Sequence, residues 1–318
     1  MATDQKFQSF CDKNILRKKW ERIRDNWAPY LESAKNLNLD DDDYTQLPQI
    51  FSEVASIYSA EELGTKFVEA EYVRPFLLKE SITLLRKASN VISNAQSGVL
   101  KGYKTWSLVN AYHGAHFAAK SILSFFGYTF PVVTNPSGIS HLAFIDVWPT
   151  LTIGSGRSKK VTFEVDKFIR LSKPPVAKIE QRHIWMTLLR LLNTCSVEDV
   201  WPKKYTKVIR TIDFKEFGRQ RNHLFYDNNA WLFDDLITFI VTPNWGIILE
   251  DFYDDYRRAI KDMDSDFSIL ISMVLLKMAY LLLEDTCKYS TILNDSLNDI
   301  QSVLQSTEWH PLYIQSAF

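Results

Sequence analysis

The sequence predicts a mainly α-helical bundle interrupted by a small mixed α/β insertion. Three observations lead there. Glycine (10) and proline (11) are scarce among 318 residues. Each is about 3% of the chain, against averages of roughly 7% and 5%, which disfavours turn-rich sandwiches and propellers. Apolar residues recur at helical spacing through most of the chain, whereas 128–175 gathers Gly, Pro, Thr and Val instead. The apolar fraction of 46%, with 14% aromatic, supplies a core for one large domain or two small ones and excludes wholesale disorder.

Residues 4–27 set Phe7, Phe10, Ile15, Ile23 and Trp27 among Lys and Arg, the pattern of a charged amphipathic helix. Pro29 and the stretch 36–43 break it, with Asp40 to Asp43 read as an exposed loop. Residues 60–71 read as a short helix. From Pro75, at a first-turn position, Leu77, Leu78, Ile82, Leu85, Ala88, Val91 and Ile92 continue a helix to about Asn94. After Gly98 and Gly102 a second long helix runs from Tyr103 to Phe126 and stops at Gly127. A hairpin follows: Leu151-Thr152-Ile153, a turn over 154–160, then Val161 to Val165. Helical pattern resumes over 177–194, 213–226 and 230–241, breaks at Pro243-Asn244, and returns over 246–260, 265–288 and 291–305. The organisation is thus an N-terminal helical segment (1–72), a bundle built from 73–127 and 211–290, a basic insertion (128–210), and a C-terminal helix with an apolar tail (291–318). That tail, Trp309 to Phe318, either docks on its own core or serves a partner.

The polar start, Met1 to Lys6, carries no secretory pattern. The most apolar run, Phe267 to Leu283, is interrupted by Lys277 and is shorter than the roughly 20 residues that span a bilayer, so it reads as a core helix and no membrane partner is expected. Cys11, Cys195 and Cys287 are odd in number and widely spaced, which favours reduced thiols, a cytoplasmic location, and neither a disulfide frame nor a cysteine zinc site.

Charge is unevenly spread within a net of -1. Residues 31–72 hold 2 basic and 10 acidic residues, 73–210 hold 20 and 7, and 211–266 hold 6 and 12. A block of net +13 attracts a polyanion locally, because exposed charge acts over about a 10 Å Debye length; the alternative is that the blocks neutralise each other within the fold.

The segment 213–227 carries the most chemistry. At 3.6 residues per turn, Arg219, Asn222, His223 and Tyr226 fall on one helical face, with Arg221 at its border. Arginine grips anionic oxygens bidentately and histidine moves protons near neutral pH, so the stripe suits a phosphodiester. The competing reading pairs Arg219 and Arg221 with Asp213, Glu216 or Asp227 and leaves Tyr226 at a core edge. Arg157, Lys159 and Lys160 form a basic hairpin tip suited to a nucleic-acid backbone, or simply a solvated turn; the Gly154–Lys160 run lacks Walker spacing. His113 and His116 lack a companion acid or Cys at ligand spacing, so no metal or other cofactor is expected. The sequence holds no hydrolase elbow, kinase set, zincin motif or dinucleotide fingerprint.

The segment Ser107 to Leu123, with its Tyr112-His113-Gly114-Ala115-His116 and Ala118-Ala119-Lys120 stretches, together with the later Arg221-Asn222, resembles HEPN-domain proteins over about residues 73–127 and 211–290. The resemblance implies a HEPN-like antiparallel helical bundle that dimerises to form one RNA-cleaving cleft. Many such proteins are metal-independent endoribonucleases acting in toxin–antitoxin or antiviral defence systems. On that reading Arg219 and Arg221 hold the scissile phosphate, Asn222 orients it, and His223 or Tyr226 assists proton transfer. The chain departs from the pattern where Tyr226 occupies the usual histidine position, five residues after Arg221. A phenol is a weaker base at pH 7 than an imidazole. A non-catalytic scaffold that binds a partner protein or nucleic acid is therefore the alternative, and whether the protein is an enzyme stays open at this point.

Overall fold

The computed structural model describes residues 2–37, 65–134, 140–153, 161–164, 167–197, 200–212, 217–218 and 266–305. The expected helices at 230–241 and 246–260, and all of 213–226 apart from Phe217 and Gly218, lie outside these residues. The described part is mainly helical with small antiparallel sheets. Among the described residues, no helix is long and apolar enough to cross a membrane. The chain divides into two compact units, one from Met1–Ser81 and Leu123–Ser196, the other from Ile82–Ile122 and Val197–Phe318.

In the first unit, helices α1 (Ala2–Asn14), α2 (Trp20–Trp27) and α3 (Leu31–Asn36) come first. The single helix expected over 4–27 is therefore split in two. The backbone at 18–20 pairs with Ser196 instead of continuing the helix: Trp20 N donates to Ser196 O (3.1 Å) and Ser196 N to Lys18 O (3.0 Å). The helix expected at 60–71 is also corrected, because β1 (Lys66–Glu69) is a strand. Its buried Val68 and exposed Glu69 follow a period of two. Four short strands make an antiparallel sheet in the order β1, β8 (Phe168–Ser172), β5 (Phe144–Asp146), β2 (Tyr128–Thr129), with Val68 opposite Ile169 and Ile145 opposite Leu171. Strands β3 (Val132–Thr134) and β4 (Ser140–Leu142) pair separately.

The expected hairpin is present as β6 (Thr150–Ile153) and β7 (Val161–Glu164), antiparallel with Leu151 opposite Phe163. Helix α6 (Gln181–Thr194) packs on α1, with the Phe7 ring centroid 4.4 Å from that of His183 and the rings tilted by 40°. Gly127 ends the preceding helix, as expected, with φ +83°. A side chain there would strike Trp148 Cδ1 at 2.6 Å.

The second unit takes most of α4 (Val73–Leu100) and α5 (Lys104–Phe125). Helix α4 continues past Gly98, where the sequence suggested a break, and the turn falls at Gly102 with φ +85°. Gly98 lies against Ser107, and Gly114 against Ile92 and the Ala88 carbonyl, so the two helices run antiparallel. Helices α7 (Lys203–Thr211), α8 (Asp266–Lys288) and α9 (Asn294–Gln305) complete the described part. The apolar run at 267–283 is a core helix, as its length and Lys277 implied, with Met273 to Leu276 fully buried. Trp201 Nε1 ties α8 to the segment ahead of α7 by donating to the Met278 carbonyl (2.8 Å).

Candidate functional site

The residues assigned from sequence, Arg219, Arg221, Asn222, His223 and Tyr226, lie outside the described residues, as do Arg157, Lys159 and Lys160. What is described is where each segment is anchored. Phe217 and Gly218 are helical, and Phe217 is fully buried with its ring 4.6 Å from that of Tyr112, itself 2% exposed in the middle of α5. The chain thus enters the stripe from a contact on α5, one residue from His113. Residues 154–160 follow on from the Ile153–Val161 pair, the last rung of the β6–β7 ladder.

Helix α5 is buried along one face and open along the other. Ala111, Ala115, Ala118, Ala119 and Ile122 are fully buried, small enough for neighbouring helices to approach closely. Most positions left at least partly open are spaced three and four apart, from Tyr103 through Trp106, Asn110, His113 and Phe117 to Lys120, with Lys104 and His116 also partly open. Tyr103 is 59% and Trp106 48% exposed. His113 and His116 belong to no group of metal-ligand residues, and among the described residues no three His, Cys, Asp or Glu side chains gather at such a spacing.

Sequence reasoning missed a buried charge cluster in the first unit. Asp146, at the end of β5, is fully buried and accepts from Lys18 Nζ at 2.6 Å and Arg170 Nη2 at 3.1 Å. The Trp148 amide also donates to Asp146 (3.0 Å), and Lys18 donates to the Phe126 carbonyl (3.1 Å). Arg170 reaches the Asn14 carbonyl as well. Lys18 Nζ lies 3.9 Å from the Tyr128 ring centroid. Burial lowers the Lys18 pKa, and the Asp146 charge works against that drop. Burial also pushes the Tyr128 phenol well up, with the Asp146 charge adding to the rise. Nearby Arg74, 1% exposed, donates to Tyr30 Oη (2.7 Å) and stacks 4.3 Å from the Trp148 ring centroid. These partners join positions 14, 18, 126, 146 and 170, and no local spacing pattern links residues so far apart. The only available signal was the rarity of charge in apolar surroundings such as Phe144-Ile145-Asp146-Val147-Trp148.

The thiols behave as packing groups. Burial raises Cys11 to about 12, despite a 3.7 Å contact with Thr187 Oγ1, and raises Cys287 to about 12 and Cys195 in the same direction. Such thiols are poor nucleophiles near neutral pH. His183 closes a capping box: Nδ1 accepts from the Glu180 amide (2.9 Å), and burial foremost lowers its pKa, so the ring is neutral and structural. Comparison with known proteins gives no match to a family model, a curated protein or a solved structure.

Proposed function

We propose that this chain is a HEPN-like RNA-binding protein whose Arg219–Tyr226 stripe cleaves RNA without a metal, as a defence or toxin effector. The observation that carries the reading is the burial of Phe217 against Tyr112. It anchors the segment bearing the stripe on the antiparallel α4–α5 pair, whose sequence carries the other half of the resemblance. In the cleaving version, Arg219 and Arg221 neutralise the scissile phosphate and Asn222 orients it. His223 or Tyr226 takes the proton from the attacking 2′-hydroxyl, and the 2′-oxygen bonds to phosphorus as the phosphorus–5′-oxygen bond breaks. The protonated base or a water returns a proton to the departing 5′-oxygen. The resemblance further suggests a homodimer, two stripes meeting in one cleft.

An RNA-cleavage assay containing EDTA tests the site. Cleavage by the wild type should be lost in Arg219→Ala, Arg221→Ala and His223→Ala, and activity that survives in all three rejects the assignment. Tyr226 in the family's histidine position favours a second reading, a scaffold that binds nucleic acid or a partner protein without cutting. Steeply salt-dependent RNA binding with no strand scission selects that reading, and the absence of any RNA binding rejects the RNA part of both.

A further inference from the structure

We infer that the open face of α5, led by Tyr103 and Trp106, is a stacking platform for single-stranded RNA. The inference rests on the RNA-binding reading but not on the Arg219–Tyr226 stripe, which lies in another part of the sequence. Its first support is geometric. Tyr103, just ahead of α5, and Trp106, Asn110, His113, Phe117 and Lys120 within it are offset by 0, 3, 7, 10, 14 and 17 residues and so share one side of a helix whose other positions are buried except Lys104 and His116. At about 1.5 Å per residue the row is roughly 25 Å long.

Its second support is the exposure of large rings. Tyr103 and Trp106 are among the few large apolar side chains of the described residues left about half exposed or more, and they sit three residues apart. The turn that presents them is well ordered by its own bonds: Tyr103 N donates to Gly98 O (2.8 Å), and Ser107 N and Oγ both donate to Tyr103 O (3.0 and 2.7 Å). Rings held on a defined backbone lose little conformational freedom when a ligand stacks on them.

Its third support is charge. Between residues 81 and 145 the chain contains no Asp or Glu, but it contains Arg86, Lys87, Lys101, Lys104 and Lys120. Lys101 and Lys104 are close to the two rings in sequence, and Lys120 closes the row. A surface that offers π-faces for bases and ammonium groups for phosphates, with no carboxylate in its own sequence to repel a polyanion, matches single-stranded nucleic acid. Duplexes hide their base faces, and a purely electrostatic contact has no use for the rings.

The test is fluorescence anisotropy with a labelled unstructured oligoribonucleotide and a labelled RNA duplex, using the full chain. The wild type should prefer the single strand. Tyr103→Ala/Trp106→Ala should weaken single-strand binding by at least about 10-fold, the scale of losing base–aromatic stacking, while Trp106→Phe retains most of the affinity. Lys101→Ala/Lys104→Ala should flatten the salt dependence. Ultraviolet crosslinking of the unaltered protein should map to the peptide holding residues 103–106, which keeps the question answerable if the double variant misfolds. Undiminished binding by a folded double variant, equal affinity for the duplex, or crosslinks elsewhere only, overturns the platform. If Arg219→Ala/Arg221→Ala then abolishes binding, the RNA reading survives without it. No binding by the wild type removes both.

Discussion

Lys277 sits in the middle of the most apolar helix of the chain, 3% exposed, and replacing it with methionine should make the protein more stable. Burial lowers its pKa from 10.5 to about 8, against an opposing pull from Glu284. At about 1.36 kcal/mol per pH unit this is a destabilisation of roughly 3 kcal/mol at pH 7. The ammonium lies 5.1 Å from the Tyr280 ring centroid, and losing that cation–π contact, about 0.5–2 kcal/mol, subtracts from the gain. The expected net effect of Lys277→Met is therefore a stabilisation of about 1–3 kcal/mol at pH 7. The sign of the pH dependence follows from linkage. Between about 8 and 10.5 the unfolded chain binds this proton more tightly than the folded one, so wild-type stability from this group rises with pH, and its penalty is present in full below 8. The advantage of Lys277→Met should shrink across that window. Cys11 and Cys287, raised from 9.0 to about 12, favour the folded state less as pH climbs above 9, but equally in both proteins. The difference between two urea-unfolding series, followed by circular dichroism from pH 7 to 10.5, isolates Lys277. A variant less stable at pH 7, or a difference that does not change with pH, refutes the reasoning.

Asp146→Asn should cost about 3–5 kcal/mol in urea unfolding, because Lys18 and Arg170 are then left buried without a counter-charge. Gly127→Ala and Gly102→Ala should separate backbone strain from crowding. Both glycines have positive φ, but only the first has a neighbour in the way, so calorimetry should show about 1–2 kcal/mol lost at Gly102 and about 2–4 kcal/mol at Gly127.

The long helices were legible because their apolar spacing and their glycine boundary agree. Gly127 stops α5 where the pattern stops, and the β6–β7 hairpin follows alternation on either side of a polar turn. The errors share one cause. Residues 15–19 keep a helical spacing in sequence, yet their backbone and Lys18 are committed to Ser196, Phe126 and Asp146, partners over 100 residues away. Lys66–Glu69 is too short for periodicity to tell strand from helix, and its partner strand β8 decides the matter. Strands β2, β5 and β8 were likewise hidden in a region read only as an insertion. The candidate site reads from sequence as side chains spaced for one helical face, and those residues lie outside the described ones. Its anchor was not legible, since the contact of Phe217 with Tyr112 joins segments separated by the whole insertion.

Each compact unit is woven from two separated stretches of chain, and each stretch of one lies next to a stretch of the other along the polypeptide. No single pair of cuts at the unit borders releases both as continuous fragments. During synthesis the first unit stays incomplete until residue 196 has emerged, by which time the opening helices of the second have been waiting for their remaining partners. Expression of terminal deletions should therefore give insoluble material where an ordinary beads-on-a-string protein would give domains.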